Sequence, residues 1–187
     1  MDVIDEQVLV QAVQGDPDAF SRLYEQYVGR IYNYIYYRTG SVPEAEDLTA
    51  KVFYRALGHI RTYVNTGIPF SAWLYRIAHN LVANWYRDSQ RRQEVPLEGQ
   101  LGLRTPDDLP EFSMVTGQEK ESLLMLIRDL PPERQQLLIL KFVEDLPNAE
   151  IALIMRKSEG AIKSLYHRTL VVLRERMEKN TNQGSGE

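Results

Sequence analysis

Three groups of side chains have types and spacings that could do chemistry. Between residues 70 and 92, Arg76, Asn80, Asn84 and Arg87 recur at intervals of three and four and lead into Arg91-Arg92. On a helix that spacing puts them along one side. Arginine can hold a phosphate backbone and an amide can read a base edge, so the row suits a single nucleic-acid strand. It equally suits an ordinary solvated helix face. Near the C-terminus, Arg156-Lys157 lead into Ser158, and Lys163, Ser164, His167 and Arg168 follow. Lysine and arginine match guanine O6/N7 and phosphate oxygens, while serine and histidine read bases more weakly. Ser158 can cap a helix whose free N–H groups suit a phosphate. The third group is acidic and apolar: Glu44, Glu46 and Asp47 beside Leu48, Val52 and Phe53. Carboxylates in a first turn satisfy the helix dipole, and the same face would suit a basic protein partner; spacing does not decide between these.

Other chemistry is missing its residues. The three histidines (His59, His79 and His167) are scattered, and no paired carboxylates converge by spacing. A phosphate loop of the G-x-x-x-x-G-K type is absent. With no cysteine there is no disulfide framework, thiolate zinc site or cysteine nucleophile. The expectation is a binding protein, not an enzyme, needing no cofactor or metal. No apolar run approaches the roughly 18 residues of a membrane span, and the acidic N-terminus MDVIDEQ is unlike a secretory signal. Membrane insertion is not expected, and a cytoplasmic location is.

The elements that must position these groups read as helices throughout. Asp16-Pro17 is an N-cap followed by a proline at the first helical position. Phe20, Leu23, Tyr24, Tyr27, Ile31, Tyr34 and Ile35 then repeat with helical period up to Thr39-Gly40. Ser41-Val42-Pro43-Glu44 is a capping-box pattern opening a helix over about 42–57. Asn65-Thr66-Gly67 and Pro69 make 59–69 a loop. A helix from Phe70 towards Ser89 carries Leu74, Ile77, Ala78, Leu81 and Trp85 at core spacing. Trp73, Trp85 and Tyr86 read as packing residues more readily than as stacking platforms. Three helical segments follow at about 119–129, 132–144 and 148–155, and a last one runs from Ser158 to about Glu178. Its expected core stripe is Ile162, Leu165, Tyr166, Leu170 and Leu173. The short helix, the turn at Arg156-Lys157 and the long helix have a helix-turn-helix layout, in which the second helix enters the DNA major groove.

Charge divides the chain in the same way. The net charge is −4, yet residues 61–92 carry five basic against one acidic residue, and 156–179 carry seven against three. Between them, 93–155 carries five against twelve. A local basic patch, more than a total, describes what can sit on a polyanion. Residues 94–117 hold Pro96, Gly99, Gly102, Pro106, Pro110 and Gly117 among acids, and read as a linker. The expectation is an all-α protein of two small helical domains, 1–93 and 118–179, joined by a flexible acidic linker and ending in a polar tail, 180–187.

Taken together, AEDLTAKVFYRAL (45–57), FSAWLYRIAHNLVANWYRDSQRR (70–92) and LIRDLPPERQQLLILKFVEDLPNAEIALIMRKSEGAIKSLYHRTLVVLRERM (126–177) resemble the extracytoplasmic-function (ECF) sigma factors of the sigma-70 family. The first two blocks are similar to region 2 and the third to region 4. The resemblance implies a promoter-specificity subunit of RNA polymerase. It assigns Asp47, Leu48, Thr49, Val52 and Phe53 to the β′ clamp helices of core polymerase. It assigns Arg76, Asn80, Asn84 and Arg87 to the melted non-template strand of the −10 element, with Asn80 at the base-pocket position. Arg156, Ser158, Lys163, Ser164, His167 and Arg168 then read the −35 element as duplex. The apolar side around Leu137, Leu138 and Phe142 serves core packing and the β-flap. The implied partners are core RNA polymerase, promoter DNA and an anti-sigma factor. The loop 59–69 is longer than the family's compact loop, and Pro147-Asn148 stands where the family has Ser-Tyr. A stand-alone helix-turn-helix regulator is the rival, but it leaves 45–57 and 70–92 without a role.

Overall fold

The computed structural model describes residues 6–63, 69–93 and 125–183. All regular structure among them is helical, and the chain divides into two compact units, Met1–Arg104 and Thr105–Glu187. The acidic stretch 94–117, the tip of the loop at 64–68 and the last four residues lie outside the described residues.

Unit 1 contains α1 (Glu6–Val13), α2 (Pro17–Thr39), α3 (Val42–His59), a 3-10 turn at Ile60–Thr62 and α4 (Phe70–Gln93). Local chemistry sets most of these boundaries. Asp16 is extended and its carboxylate accepts from the Asp18 and Ala19 N–H groups at 2.9 and 3.4 Å. Gly40, at φ +71°, closes α2 by donating to Tyr36 O, a left-handed cap that glycine adopts without a Cβ penalty. Ser41 then caps α3 by accepting from Glu44 N–H. The second and third helices pack on each other, α4 crosses both, and α1 lies against α2 and the 3-10 turn. Their shared interior holds Leu23, Tyr27, Ile31, Tyr34, Ile35, Leu48, Val52, Leu74, Tyr75, Ala78 and Val82.

Three features of unit 1 differ from the sequence expectation. The helix α1 carried no clear signal; it is short and buries only Leu9 and Ala12 among its described side chains. Part of the expected loop, Ile60–Thr62, is a 3-10 turn anchored by buried Ile60. The long helix α4 also extends to Gln93, beyond Ser89.

Unit 2 contains a helical turn at 125–128, α5 (Pro132–Phe142), α6 (Asn148–Met155) and α7 (Glu159–Gln183). Gln135 is buried and its Nε2 donates to Arg128 O and Leu130 O, closing the turn that enters α5. The last helix packs against both α5 and α6. Leu130, Leu138 and Leu173 form a buried cluster flanked by Leu126, Ile127, Tyr166 and Val172, while Leu137, Ile151 and Ile162 are fully buried. Leu170 was expected in this core; it is 39% exposed because it sits one position outside the line of Leu165, Thr169 and Leu173. The helix also runs into the stretch that read as a polar tail, ending at Gln183.

Candidate nucleic-acid interfaces

In unit 2 the helix-turn-helix turns on a non-glycine residue. Arg156, at φ 55° and ψ 47°, is in the left-handed region and donates its N–H to Ala152 O, ending α6. Lys157, the next residue, pairs with Glu133 on α5 at 2.7 Å and so fastens the turn to that helix. Ser158 Oγ accepts from Ala161 N–H at 3.2 Å, the cap expected at the start of α7. With Ile162, Leu165 and Thr169 turned inward, Lys163, Ser164, His167 and Arg168 are all exposed on the opposite side, as are Arg156 and Ser158. Thr169 is fully buried and its hydroxyl is spent on Leu165 O at 2.7 Å. The Arg168 Nε reaches back to Ser164 O at 3.3 Å, leaving the rest of its fork directed at solvent. All six residues expected to meet duplex DNA therefore belong to one exposed surface of a single helix and its entry turn.

In unit 1 the row on α4 is also on the outside. Asn80 and Arg87 are exposed, and Arg76 and Asn84 are half-buried. Arg87 Nη2 donates to Asn84 Oδ1, one turn away. Upstream of the row lies an aromatic cluster. Tyr63 and Phe70, which bracket residues 64–68, meet edge-on at 5.6 Å, and Trp73 contacts both at 5.2 and 5.4 Å. Burial pushes the Tyr63 hydroxyl above its usual pKa, an effect that the charge of Arg76 opposes. These rings hold the two ends of the loop together beside Arg76. Trp73 packs, as its spacing implies, though it remains half-exposed. Trp85 and Tyr86, which meet at 4.9 Å, are half-exposed as well.

The third group requires a correction. Leu48, Thr49, Val52 and Phe53 are each 5% exposed or less. They hold α3 to its neighbours inside unit 1, with Phe53 edge-on to Tyr24 at 4.8 Å, and offer no surface to a partner. Of the five residues assigned to polymerase contact, only Asp47 is exposed, paired with Lys51 one turn on. The surface of α3 is instead Glu46, Asp47, Ala50, Lys51, Tyr54, Arg55 and Leu57, with Tyr54 80% exposed. In unit 2, Leu137 and Leu138 are buried and Phe142 is exposed, in ring contact with Tyr166.

Comparison with known proteins adds the family. The Sigma-70 region 2 family matches residues 23–92, and the Sigma-70 region 4 family matches 120–173. Two RNA polymerase sigma factors of Bacillus subtilis are each 30% identical to this chain. YlaC aligns over 89% of this chain and 96% of its own length, and the ECF sigma factor SigW over 95% and 98%. The chain belongs to the ECF RNA polymerase sigma factors. BldN of Streptomyces coelicolor, another ECF sigma factor, is 41% identical over 89% of this chain, which spans 63% of that relative's length. The structure of CnrH with the cytosolic domain of CnrY shares the fold of this ECF sigma factor at a TM-score of 0.70 and 17% identity, covering 94% of this chain and 97% of that one. The sigma factor RpoE of Bartonella quintana, in complex with the anti-sigma factor NepR, does so at 0.66 and 18%, covering 85% and 96%. The region 2 match thus falls within unit 1, over most of α2 and all of α3, and includes the aromatic cluster and α4 up to residue 92. The region 4 match falls within unit 2, where it includes α5, α6 and much of α7. Among the described residues, no helix is long and apolar enough to cross a membrane.

Proposed function

We propose that the chain directs core RNA polymerase to promoters by gripping two forms of the same DNA. The −35 element is read as duplex by Arg156, Ser158, Lys163, Ser164, His167 and Arg168. The −10 element is held as melted non-template strand by Arg76, Asn80, Asn84 and Arg87. The protein performs no bond chemistry; opening the duplex is driven by binding. Unstacking a base costs a few kcal/mol, which contacts to the extruded base must offset. Splitting recognition between two units makes the second contact intramolecular once the first is made.

One observation supports this reading best: Lys163, Ser164, His167 and Arg168 are exposed together on α7, and Arg76, Asn80, Asn84 and Arg87 form an exposed to half-buried row on α4, while each helix buries another face in its own unit. The exposed side of α3, around Asp47, Lys51 and Tyr54, is the surface we assign to core polymerase in place of the buried residues. An anti-sigma factor is proposed as a further partner, because related folds are found in such complexes. Run-off transcription with core polymerase on a genomic promoter library tests the proposal. Enrichment of templates sharing an upstream and a downstream element supports it. Transcription no different from core polymerase alone would refute it.

A further inference from the structure

The last turn of α2 buries a cation. Arg38 is 1% exposed, and none of the ion pairs among the described residues includes it. Its Nη1 donates to Tyr34 Oη at 2.9 Å and lies 3.2 Å from His79 Nδ1 on α4, while its Cζ stands 5.5 Å from the Tyr34 ring centre. The Nε and Nη2 atoms are buried and unpartnered among the described residues. A guanidinium can only donate. His79 Nδ1 is therefore the acceptor, and the neutral ring carries its proton on Nε2. The backbone of Arg38 makes a second link, its carbonyl accepting the Tyr86 hydroxyl.

Both tethers end on α4. His79 and Tyr86 are seven residues apart, hence on one side of the helix, while Asn80 and Asn84 lie roughly 100–160° round from them, on the side facing away. A buried arginine without a carboxylate is a poor way to add stability, since apolar side chains of similar volume often do as well. Its rigid, planar fork does add geometry. We propose that Arg38 is a positioning residue. Through His79 and Tyr86 it fixes the rotation of α4 about its own axis, and with it the direction in which Asn80 and Asn84 meet the melted strand. This rests on the reading of α4 as the strand-holding face.

The test uses holoenzyme and a promoter from the run-off selection, carrying 2-aminopurine in its −10 element to report opening. Upstream duplex binding is followed separately by gel shift. His79→Leu fills the same space without an acceptor, whereas His79→Asn returns an oxygen close to where Nδ1 stood. With His79→Leu, opening is expected to slow by about tenfold or more while upstream binding stays within about twofold, because misplacing a group costs the step it serves. His79→Asn should restore opening to within about threefold of wild type on the same grounds. Tyr86→Phe, which keeps the ring and removes only the hydroxyl, should slow opening measurably. The proposal is overturned if folded His79→Leu opens the promoter at the wild-type rate, or if His79→Asn is as slow as His79→Leu. Should His79→Leu fail to unfold cooperatively, Tyr86→Phe decides, and wild-type opening by that variant overturns the proposal. A wild-type holoenzyme that opens no promoter refutes the strand-holding reading itself, before any variant is compared, and takes this proposal with it.

Discussion

His79 ties the stability of unit 1 to pH. Burial, reinforced by the charge of Arg38, pulls its pKa down to about 4. The unfolded chain takes up this proton below about pH 6.5, whereas the folded chain does not until about 4. Stability from the neutral ring is therefore full above 6.5, declines as the pH falls towards 4, and levels off below that. For a half-exposed ring, a loss of about 1–2 kcal/mol is expected after allowing for solvent screening. Urea unfolding at pH 7.5 and 4.5 should show wild type losing that much more than His79→Asn; equal losses would refute the coupling. Arg156 separates conformation from charge in a similar way. Arg156→Gly should stabilise unit 2 by about 0.5–1 kcal/mol, since glycine adopts φ 55° without strain. It should nevertheless weaken promoter binding, as calorimetry and gel shift together can establish. At this scale the sequence was informative for α7, where Ile162, Leu165 and Thr169 point inward and so turn Lys163, Ser164, His167 and Arg168 outward. It was silent on Arg38. A cation in the last turn of a helix looks like an ordinary partner for the helix dipole, and its burial is decided by Tyr34 and His79, one of them on another helix.

At the scale of elements, α3 shows what periodicity can and cannot say. The spacing of Leu48, Val52 and Phe53 identifies one apolar face, but an apolar face has the same pattern whether its own domain or a partner covers it. Here the domain covers it. Phe53→Ala should cost unit 1 about 3–4 kcal/mol by leaving a cavity. Tyr54→Ala, one residue along and 80% exposed, should stay within about 0.5 kcal/mol of wild type. If the exposed side meets polymerase, Tyr54→Ala should weaken core binding while leaving the unfolding midpoint unchanged, and Asp47→Arg should do the same. Both are measurable by fluorescence anisotropy with labelled protein. Helix boundaries were legible wherever a cap was written into the chain, at Asp16, Gly40, Ser41 and Ser158. They were missed where only tertiary contact holds the backbone, as at α1 and the 3-10 turn of Ile60–Thr62.

For the whole molecule, the alternation of basic and acidic segments matters more than the net charge of −4. Non-specific affinity scales with the phosphates neutralised, so free protein should bind random duplex weakly, and only the polymerase-bound form should engage a promoter tightly. The contribution of α7 can be counted. Lys163→Glu with Arg168→Glu should reduce the slope of log affinity against log salt by about two, one for each phosphate that is no longer neutralised. The two-unit organisation was legible because composition changes where the helical pattern stops, at about residue 94, and because each unit carries its own apolar period.

The division of labour between the two units is tested most directly by following recruitment and opening separately on one promoter. Holoenzymes carrying Lys163→Glu/Arg168→Glu or Asn80→Ala/Asn84→Ala would be compared by gel shift and by 2-aminopurine fluorescence. The α7 pair should weaken recruitment and leave the opening rate of bound complexes intact, and the α4 pair should do the reverse. If both pairs impair both steps equally, or if the α7 pair leaves recruitment untouched, duplex and melted strand are not held by separate units.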